Sequence, residues 1–186
     1  DLILRTARTY SGFLDKPVTE IQLRAIWDLT KMGPTSANGQ PARIVFCQSA
    51  EAKEKLAALA SPGNRAKVLS APVTAILGMD MKFYDHLPRL FPHADMRGIF
   101  ASNQPLAEAT AFRNSSLQGA YLIIAARALG LDTGPMSGFN NAAVDEAFFA
   151  GTDIKSNFIC TIGYGDPASI YDRSPRPTFE EFVRIE

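Results

Sequence analysis

The clearest periodic segment of the chain begins at residue 19. Leu23, Ile26 and Thr30 fall on one helical face, with Trp27 beside it. Thr19 and Gln22 have the T-x-x-Q spacing of a capping box, and Val18 and Leu23 are placed as a hydrophobic staple. Gly33 and Pro34 end the helix. "RIVFCQ" (43–48) then reads as a strand. Residues 50–60, rich in alanine, lysine and glutamate, predict a second helix, and 62–70 a short third one. "PVTAILGM" (72–79) reads as a buried strand.

From 80 to 102 the sequence is aromatic and broken by prolines, and it fits neither period. A long helix is predicted over 104–129, with Pro105 tolerated in its first turn. Its "GAYLIIAARAL" stretch is apolar nearly all round, which places the helix centrally. Gly130 closes it. "DTGPMSGF" reads as a glycine-proline loop, 140–150 as a helix, and "NFICTIGYG" (157–165) as the third strand. The last twenty residues are polar and proline-rich, with apolar spots at Phe179, Phe182, Val183 and Ile185.

Strands and helices alternate without spelling a βαβ series, and no repeat is visible. An α+β domain over 1–186, its sheet packed on a central helix, is the expected fold class. The tail over 166–186 has too few apolar residues to fold locally, so it is expected to dock elsewhere, a partner subunit being one candidate.

Charge narrows the function. Lysine plus arginine and aspartate plus glutamate number 19 each, so no global field favours nucleic acid or an anionic membrane. No run approaches the roughly 20 apolar residues of a membrane helix, and the N-terminal residues lack the order of a secretory signal. Cys47 and Cys160 sit in apolar, β-branched runs and read as buried thiols of a reducing, cytoplasmic compartment.

The usual catalytic signatures are missing. "GYGD" lacks the third glycine of a dinucleotide fingerprint, and "GLDTGP" lacks the lysine of a P-loop. His86 and His93 have no helical or cysteine-paired spacing, so no metal site is expected. "MSGF" is not the elbow of a serine hydrolase. With few acids or bases to do chemistry, the reactive group is expected to be a borrowed cofactor. "GPTSANGQPAR" (33–43) suits a cradle: Thr35, Ser36 and Asn38 offer donors and acceptors to a flat polar heterocycle, while Gly39 and the prolines fix the backbone. Arg8, Arg173 and Arg176 near the chain ends could meet a phosphate. A well-capped turn with scattered surface arginines is the plain alternative.

Taken in order, "RTYSGFLDKPVT", "GPTSANGQPARIVF", "NRAKVLSAPV", "ALGLDTGPMSGF" and "SPRPTFEE" resemble the successive motifs of the FMN-dependent nitroreductase superfamily over essentially the whole chain. The resemblance implies a mixed, mostly antiparallel sheet flanked by helices, and a homodimer with FMN at the subunit interface and the C-terminal arm on the partner. It implies NADH or NADPH as electron donor and ping-pong hydride transfer at flavin N5, with no side-chain nucleophile. Arg8, Thr9 and Arg176 would hold the FMN phosphate. Pro34, Thr35, Ser36 and Asn38 would line the ring and ribityl chain, with Asn64 and Lys67 at the pyrimidine edge. Pro135, Met136, Ser137 and Gly138 would lie over the other side. Ser11 and Ser137 depart from the pattern, standing where many relatives carry a cation and a glutamate; Ser174 replaces a common lysine, for which Arg173 could compensate.

"LPRLFPH", "EATAFRNSS" and "YGD" resemble, more narrowly, a subgroup that reduces malonic semialdehyde to 3-hydroxypropanoate in pyrimidine (uracil) catabolism. A carboxylate substrate would want a fixed cation, with Arg97, Arg113 and Arg43 as candidates. Phe83 and Tyr84 are either lid aromatics over the flavin or ordinary packing under a loop. A broad nitro or quinone reductase and a non-enzymatic flavin-binding dimer are the competing readings.

Overall fold

The structure is a computed structural model describing residues 1–186. The punctuation at residue 19 acts as read. Helix α1 spans Glu20–Thr30. Gln22 N–H donates to Thr19 Oγ1 (3.3 Å), and Thr19 N–H donates to Gln22 Oε1 (2.9 Å). Leu23, Ile26 and Thr30 are the buried face, and Val18 is buried ahead of them.

After the 33–41 loop come β1 (Ala42–Cys47), α2 (Ala50–Leu59), α3 (Pro62–Ser70) and β2 (Val73–Asp80). The unassigned stretch folds as a 3-10 turn (Phe83–His86) and two short helices, α4 (Leu87–Leu90) and α5 (Arg97–Ala101). There follow α6 (Gln104–Ala128), β3 (Asp132–Met136), α7 (Asn141–Phe149), β4 (Ile154–Gly163) and a last turn, α8 (Phe179–Phe182). No helix is long and apolar enough to cross a membrane.

The four strands lie in the order β1-β2-β4-β3, and all three pairings are antiparallel. The parallel element is a single bridge, Thr9 to Thr133. One expectation needs correction: "DTGPM" is a strand, not a loop. Glycine and proline argued against it, yet β3 is an edge strand, where the missing N–H of Pro135 breaks no ladder bond. The following strand also starts earlier than read, at Ile154.

Alternate residues of the central strands serve two cores. Ala75, Leu77, Cys160 and Ile162 face α1 and α6, with Leu122, Ala125 and Ala126 from the long helix. Ile76 and Ile159 point the other way, to Leu56, Val68, Val144 and Phe149 of α2, α3 and α7. Burial on both sides explains why β2 reads as an unbroken apolar run. Burial also pushes the thiols up, Cys47 to about 11 and Cys160 to about 12, so both stay protonated and inert near neutrality.

Helix α6 buries one face on this core, while Phe112, Leu117 and Ile124 remain exposed on its other side. A smaller cluster of Phe83, Tyr84, Leu87, Phe100, Ala107 and Ala111 docks the 83–101 segment on its first half.

The N-terminal segment laces along the β3 side of the sheet. Tyr10 N–H donates to Thr133 O, Leu14 N–H to Tyr164 O, and Asp166 N–H to Gly12 O. This crossing needs Gly134: a Cβ there would lie 2.5 Å from Thr161 Oγ1 and 2.8 Å from the Tyr10 carbonyl oxygen. Gly134→Ala is therefore expected to cost about 1–2 kcal/mol, read as a lower denaturant midpoint with unchanged slope. An unchanged midpoint would show that the segment is free to move aside.

Residues 171–186 are exposed throughout. Phe182 and Ile185 are 77% and 85% exposed, so the tail's apolar groups find nothing to pack on within the chain.

Candidate functional site

The 33–41 loop is held in a costly backbone shape. Ala37, Asn38 and Gln40 have φ of 49°, 48° and 44°, a left-handed conformation that costs L-residues about 1–2 kcal/mol each, less for asparagine. Such strain persists only where the surroundings over-determine it. Here α6 supplies them. Ser36 N–H donates to Asn114 Oδ1 (2.8 Å), and Ala42 N–H to Gln118 Oε1 (2.9 Å). Gln118 Nε2 donates to Gln40 Oε1 (2.6 Å), and Tyr121 Oη to Pro34 O (3.0 Å). Asn114 and Gln118 are both buried. Sequence reading missed these three supports; the signal was polar side chains interrupting the inward face of an apolar helix.

Two of the polar groups read as ligand-facing are engaged inside the chain. Thr35 Oγ1 accepts from Gln40 N–H (3.2 Å). Asn38 donates to Leu90 O (2.9 Å) and accepts from Gln40 Nε2 (3.0 Å), tying the loop to α4. The Ser36 hydroxyl makes no such bond and is exposed, as is Pro34.

A second feature lies where the chain ends meet. A cleft of about 600 Å³ is lined by Arg8, Thr9, Ser11, Lys67, Arg127, Arg173 and Arg176, among others. It contains five cations against one carboxylate, Asp172, and none of the five is in an ion pair. Uncompensated like charges gathered in a concavity make an anion site. Some of these arginines also build its walls. Arg8 donates to Tyr171 O, and Arg173 to Arg5 O and Ala7 O (both 2.9 Å), so Arg173 fastens the tail to the N-terminal segment. Tyr10 follows Arg8; burial first, and the Asp132 carboxylate second, raise its pKa, with Arg8 opposing.

Helix α3 carries the cleft onward. Lys67 lines it, and Asn64, one turn earlier, donates to Gly138 O (3.0 Å) while Ser61 N–H donates to the same oxygen (2.9 Å). Gly138 leaves room for this approach: a Cβ would stand 2.7 Å from Asn64 Nδ2 and make that side chain shift. Pro135, Met136, Ser137 and Gly138 thus form a rim beside the cationic cleft, with Pro135 and Ser137 exposed.

The residues read as substrate-facing fare differently. Phe83 is fully buried and Tyr84 nearly so; the Phe83 ring stands edge-on to Phe100 at 5.1 Å. Their visible role is packing, with Phe83 directly beneath Gly39 of the strained loop. Arg97 pairs with Asp85 (2.7 Å) and Arg43 with Asp80 (2.6 Å). Arg113 is exposed on α6 without an ion pair. No cluster of side chains could hold a metal ion.

The two halves sit far apart. The loop feeds β1 at one sheet edge, while Thr9 and the 135–138 rim belong to β3 at the other, about 14 Å away across three strand spacings. Ala42 is level with Met79, and Thr133, through Ile162, with Val73. For Thr9 that offset of six residues adds about 20 Å along the strands; the rim runs back toward the loop's end, Met136 being level through Ile159 with Ile76, about 10 Å from Met79.

Residues 4–165 match the model of the nitroreductase family. The chain belongs to the nitroreductase family. A relative from Burkholderia lata, named "Putative NADH dehydrogenase/NAD(P)H nitroreductase", is 62% identical over 186 residues, covering 100% of this chain and 95% of its own. One of the same name from Stenotrophomonas maltophilia is 58% identical over 185 residues, covering 100% and 94%.

Among solved structures, a nitroreductase family protein from Streptococcus pneumoniae superposes with a TM-score of 0.88 at 21% identity, covering 99% of this chain and 98% of that one. A "putative nitroreductase in complex with FMN" from Exiguobacterium sibiricum gives 0.85 at 22%, covering 100% and 97%. The nitroreductase fold is thus shared along nearly the whole chain, tail included.

Proposed function

We propose that this nitroreductase is an FMN-dependent NAD(P)H oxidoreductase whose site is completed by a second copy of the chain. The observation that carries this reading is the cleft of five unpaired cations at one sheet edge, with the rigid polar loop at the opposite edge and end. A single chain cannot bring both to one ligand. Two chains related by a two-fold axis can, each giving its cationic cleft and rim to one site and its loop to the other. The exposed apolar groups of α6 and of the tail supply faces for such a pairing, with residues 166–186 as the arm that docks on the partner.

The cleft fits the cofactor on its own chemistry: a phosphate ester dianion needs cations and hydroxyls, and Arg8, Arg176, Thr9 and Ser11 line one concavity. Asn64 and 135–138 would hold the flavin ring from one protomer, and Pro34, Thr35, Ser36 and Asn38 from the other. The loop's backbone and the Ser36 hydroxyl are the groups left open for this, since the Thr35 and Asn38 side chains brace the loop itself. Bound FMN would supply the redox chemistry, hydride transfer from NADH or NADPH to an oxidant. The protein's share is orientation and exclusion of water. Lys67 is the cation left for the flavin's pyrimidine edge, because Ser11 brings no charge.

For the oxidant we propose a small aldehyde acid, malonic semialdehyde, on the strength of the motif resemblance, with Arg113 as the unpaired cation for its carboxylate. One observation favours the second reading, a broad nitro or quinone reductase: Arg97 and Arg43 are already neutralised by Asp85 and Asp80.

The test is direct. Purified protein is expected to be yellow, dimeric in light scattering, and bleached anaerobically by NADH or NADPH. Bleached enzyme is then mixed with malonic semialdehyde, nitrofurazone or menadione. Fast recovery of colour with the aldehyde supports the narrow substrate, and recovery only with the other two supports the broad one. A stable yellow dimer that neither nucleotide bleaches would leave a flavin-storing protein, and a colourless monomer without affinity for FMN would end the proposal.

A further inference from the structure

The geometry points to Arg127, which no motif of the chain singles out, as the residue that reads the phosphate of the flavin nucleotide and makes the cleft prefer FMN to riboflavin. The inference rests on the FMN reading above and assigns a specificity-determining residue within it.

Arg127 differs from the other arginines of the cleft in what holds it. Arg8, Arg173 and Arg176 stand on the chain ends and donate to main-chain carbonyls of those same segments: Arg8 to Tyr171, Arg173 to Arg5 and Ala7, Arg176 to Ser174 and Pro175. Arg127 stands in the last turn of α6, beside Ala125 and Ala126, which are packed in the main core. Its backbone is therefore fixed by the most rigid element of the fold. The cation also lies at the negative end of the helix dipole, which stabilises its charge without neutralising it as an ion pair would.

Its hydrogen bonding is incomplete. Nη1 donates to Ile3 O (3.1 Å), but Nε is buried and has no acceptor. A guanidinium cannot shed its proton to escape that cost, and a buried donor of a charged group left unmade is rare in native proteins. The enclosed Nε is out of reach of the cleft, but Nη2 makes no hydrogen bond and is not enclosed; among the four further cations of this cleft of about 600 Å³, the partner it would meet is an anion. A phosphate ester dianion matches the planar fork of arginine and offers several acceptor oxygens. Thr9 and Ser11 supply hydroxyls on the same wall.

A role confined to pinning Ile3 would give Arg127 no preference between phosphorylated and unphosphorylated flavin, and this separates the two cases. Dissociation constants for FMN and riboflavin are measured by quenching of flavin fluorescence, for the parent chain, Arg127→Met and Arg127→Lys, between pH 5 and 7.5. Inorganic phosphate is included as a competitor, to separate a site for free phosphate from one for the ester.

Arg127→Met is expected to weaken FMN by roughly tenfold or more and to leave riboflavin unchanged; Arg127→Lys restores part. The parent's preference for FMN should shrink as the phosphate takes its second proton near about pH 6, and that of Arg127→Met should shrink less. Melting temperatures without flavin report folding; should Arg127→Met not fold, Arg127→Lys and the pH profile carry the comparison. Equal loss of both flavins, or loss of neither, overturns the inference while the FMN reading stands. A parent chain that binds neither flavin overturns the FMN reading and this inference with it, even if inorganic phosphate binds.

Discussion

Phe83→Ala is expected to destabilise the protein by about 3–5 kcal/mol, a fall in melting temperature of roughly 10 °C, and to deplete the purified protein of flavin. The ring is fully buried and edge-on to both Tyr84 and Phe100. Its removal takes the centre out of the cluster that fixes 83–101 to α6. It also takes the support from under Gly39, whose built Cβ would lie 2.9 Å from the ring. The 33–41 loop would then lose packing below and its bond to α4 through Leu90 together. Phe83→Leu refills most of the volume and is expected to recover at least half of the stability and most of the flavin. A melting temperature within about 2 °C of the parent for Phe83→Ala would show that the segment is held by something other than this cluster. Normal stability with lost turnover would instead make Phe83 a substrate-facing lid residue.

Gln118→Met keeps size and helix propensity but removes two hydrogen bonds. Ala42 N–H, at the first position of β1, loses its acceptor, and the Gln40 side chain loses its donor. Leaving a buried donor unmade costs about 1–3 kcal/mol. Gln40, at φ 44°, is also one of the three left-handed residues, so the strain it carries would be released by rearrangement of the loop. We expect a loss of about 2–3 kcal/mol and FMN binding weakened by roughly tenfold, with the dimer intact. Glu108→Gln, exposed on the same helix with a side chain free of hydrogen bonds and ion pairs, is the control and should change neither by a measurable amount. Unaltered FMN affinity in Gln118→Met would mean that the loop's shape does not depend on α6, and its place in the flavin seat would lose its main support.

Much of the site was legible before any coordinates. Arg8, Arg173 and Arg176 from the chain ends do line one cleft with Lys67, while the rim at 135–138 stands beside it, joined through Asn64. What escaped notice were groups whose role depends on a distant partner. Asn114, Gln118 and Tyr121 read as helix residues of no special kind until the loop they brace lies against them. Arg97 and Arg43 looked free because the partners that neutralise them, Asp85 and Asp80, are chosen by tertiary contact. The strand at 132–136 escaped because propensity weighs glycine and proline against a strand, whereas an edge position beside an arriving N-terminal segment requires one and tolerates the other.

By itself the sequence determined whatever is settled within a few residues: the capped start of α1, the apolar length of α6 and the continuous burial of β2. Those signals are local because backbone donors at helix ends and the periodicity of a face are local matters. Only the tertiary structure decided which edges of the sheet carry the polar loop and the cationic cleft, and which cations remain unpaired. Antiparallel pairing order and the docking of chain ends depend on contacts between residues far apart in sequence, from Met136 with Ile159 to Thr9 with Thr133, and no short-range pattern encodes them.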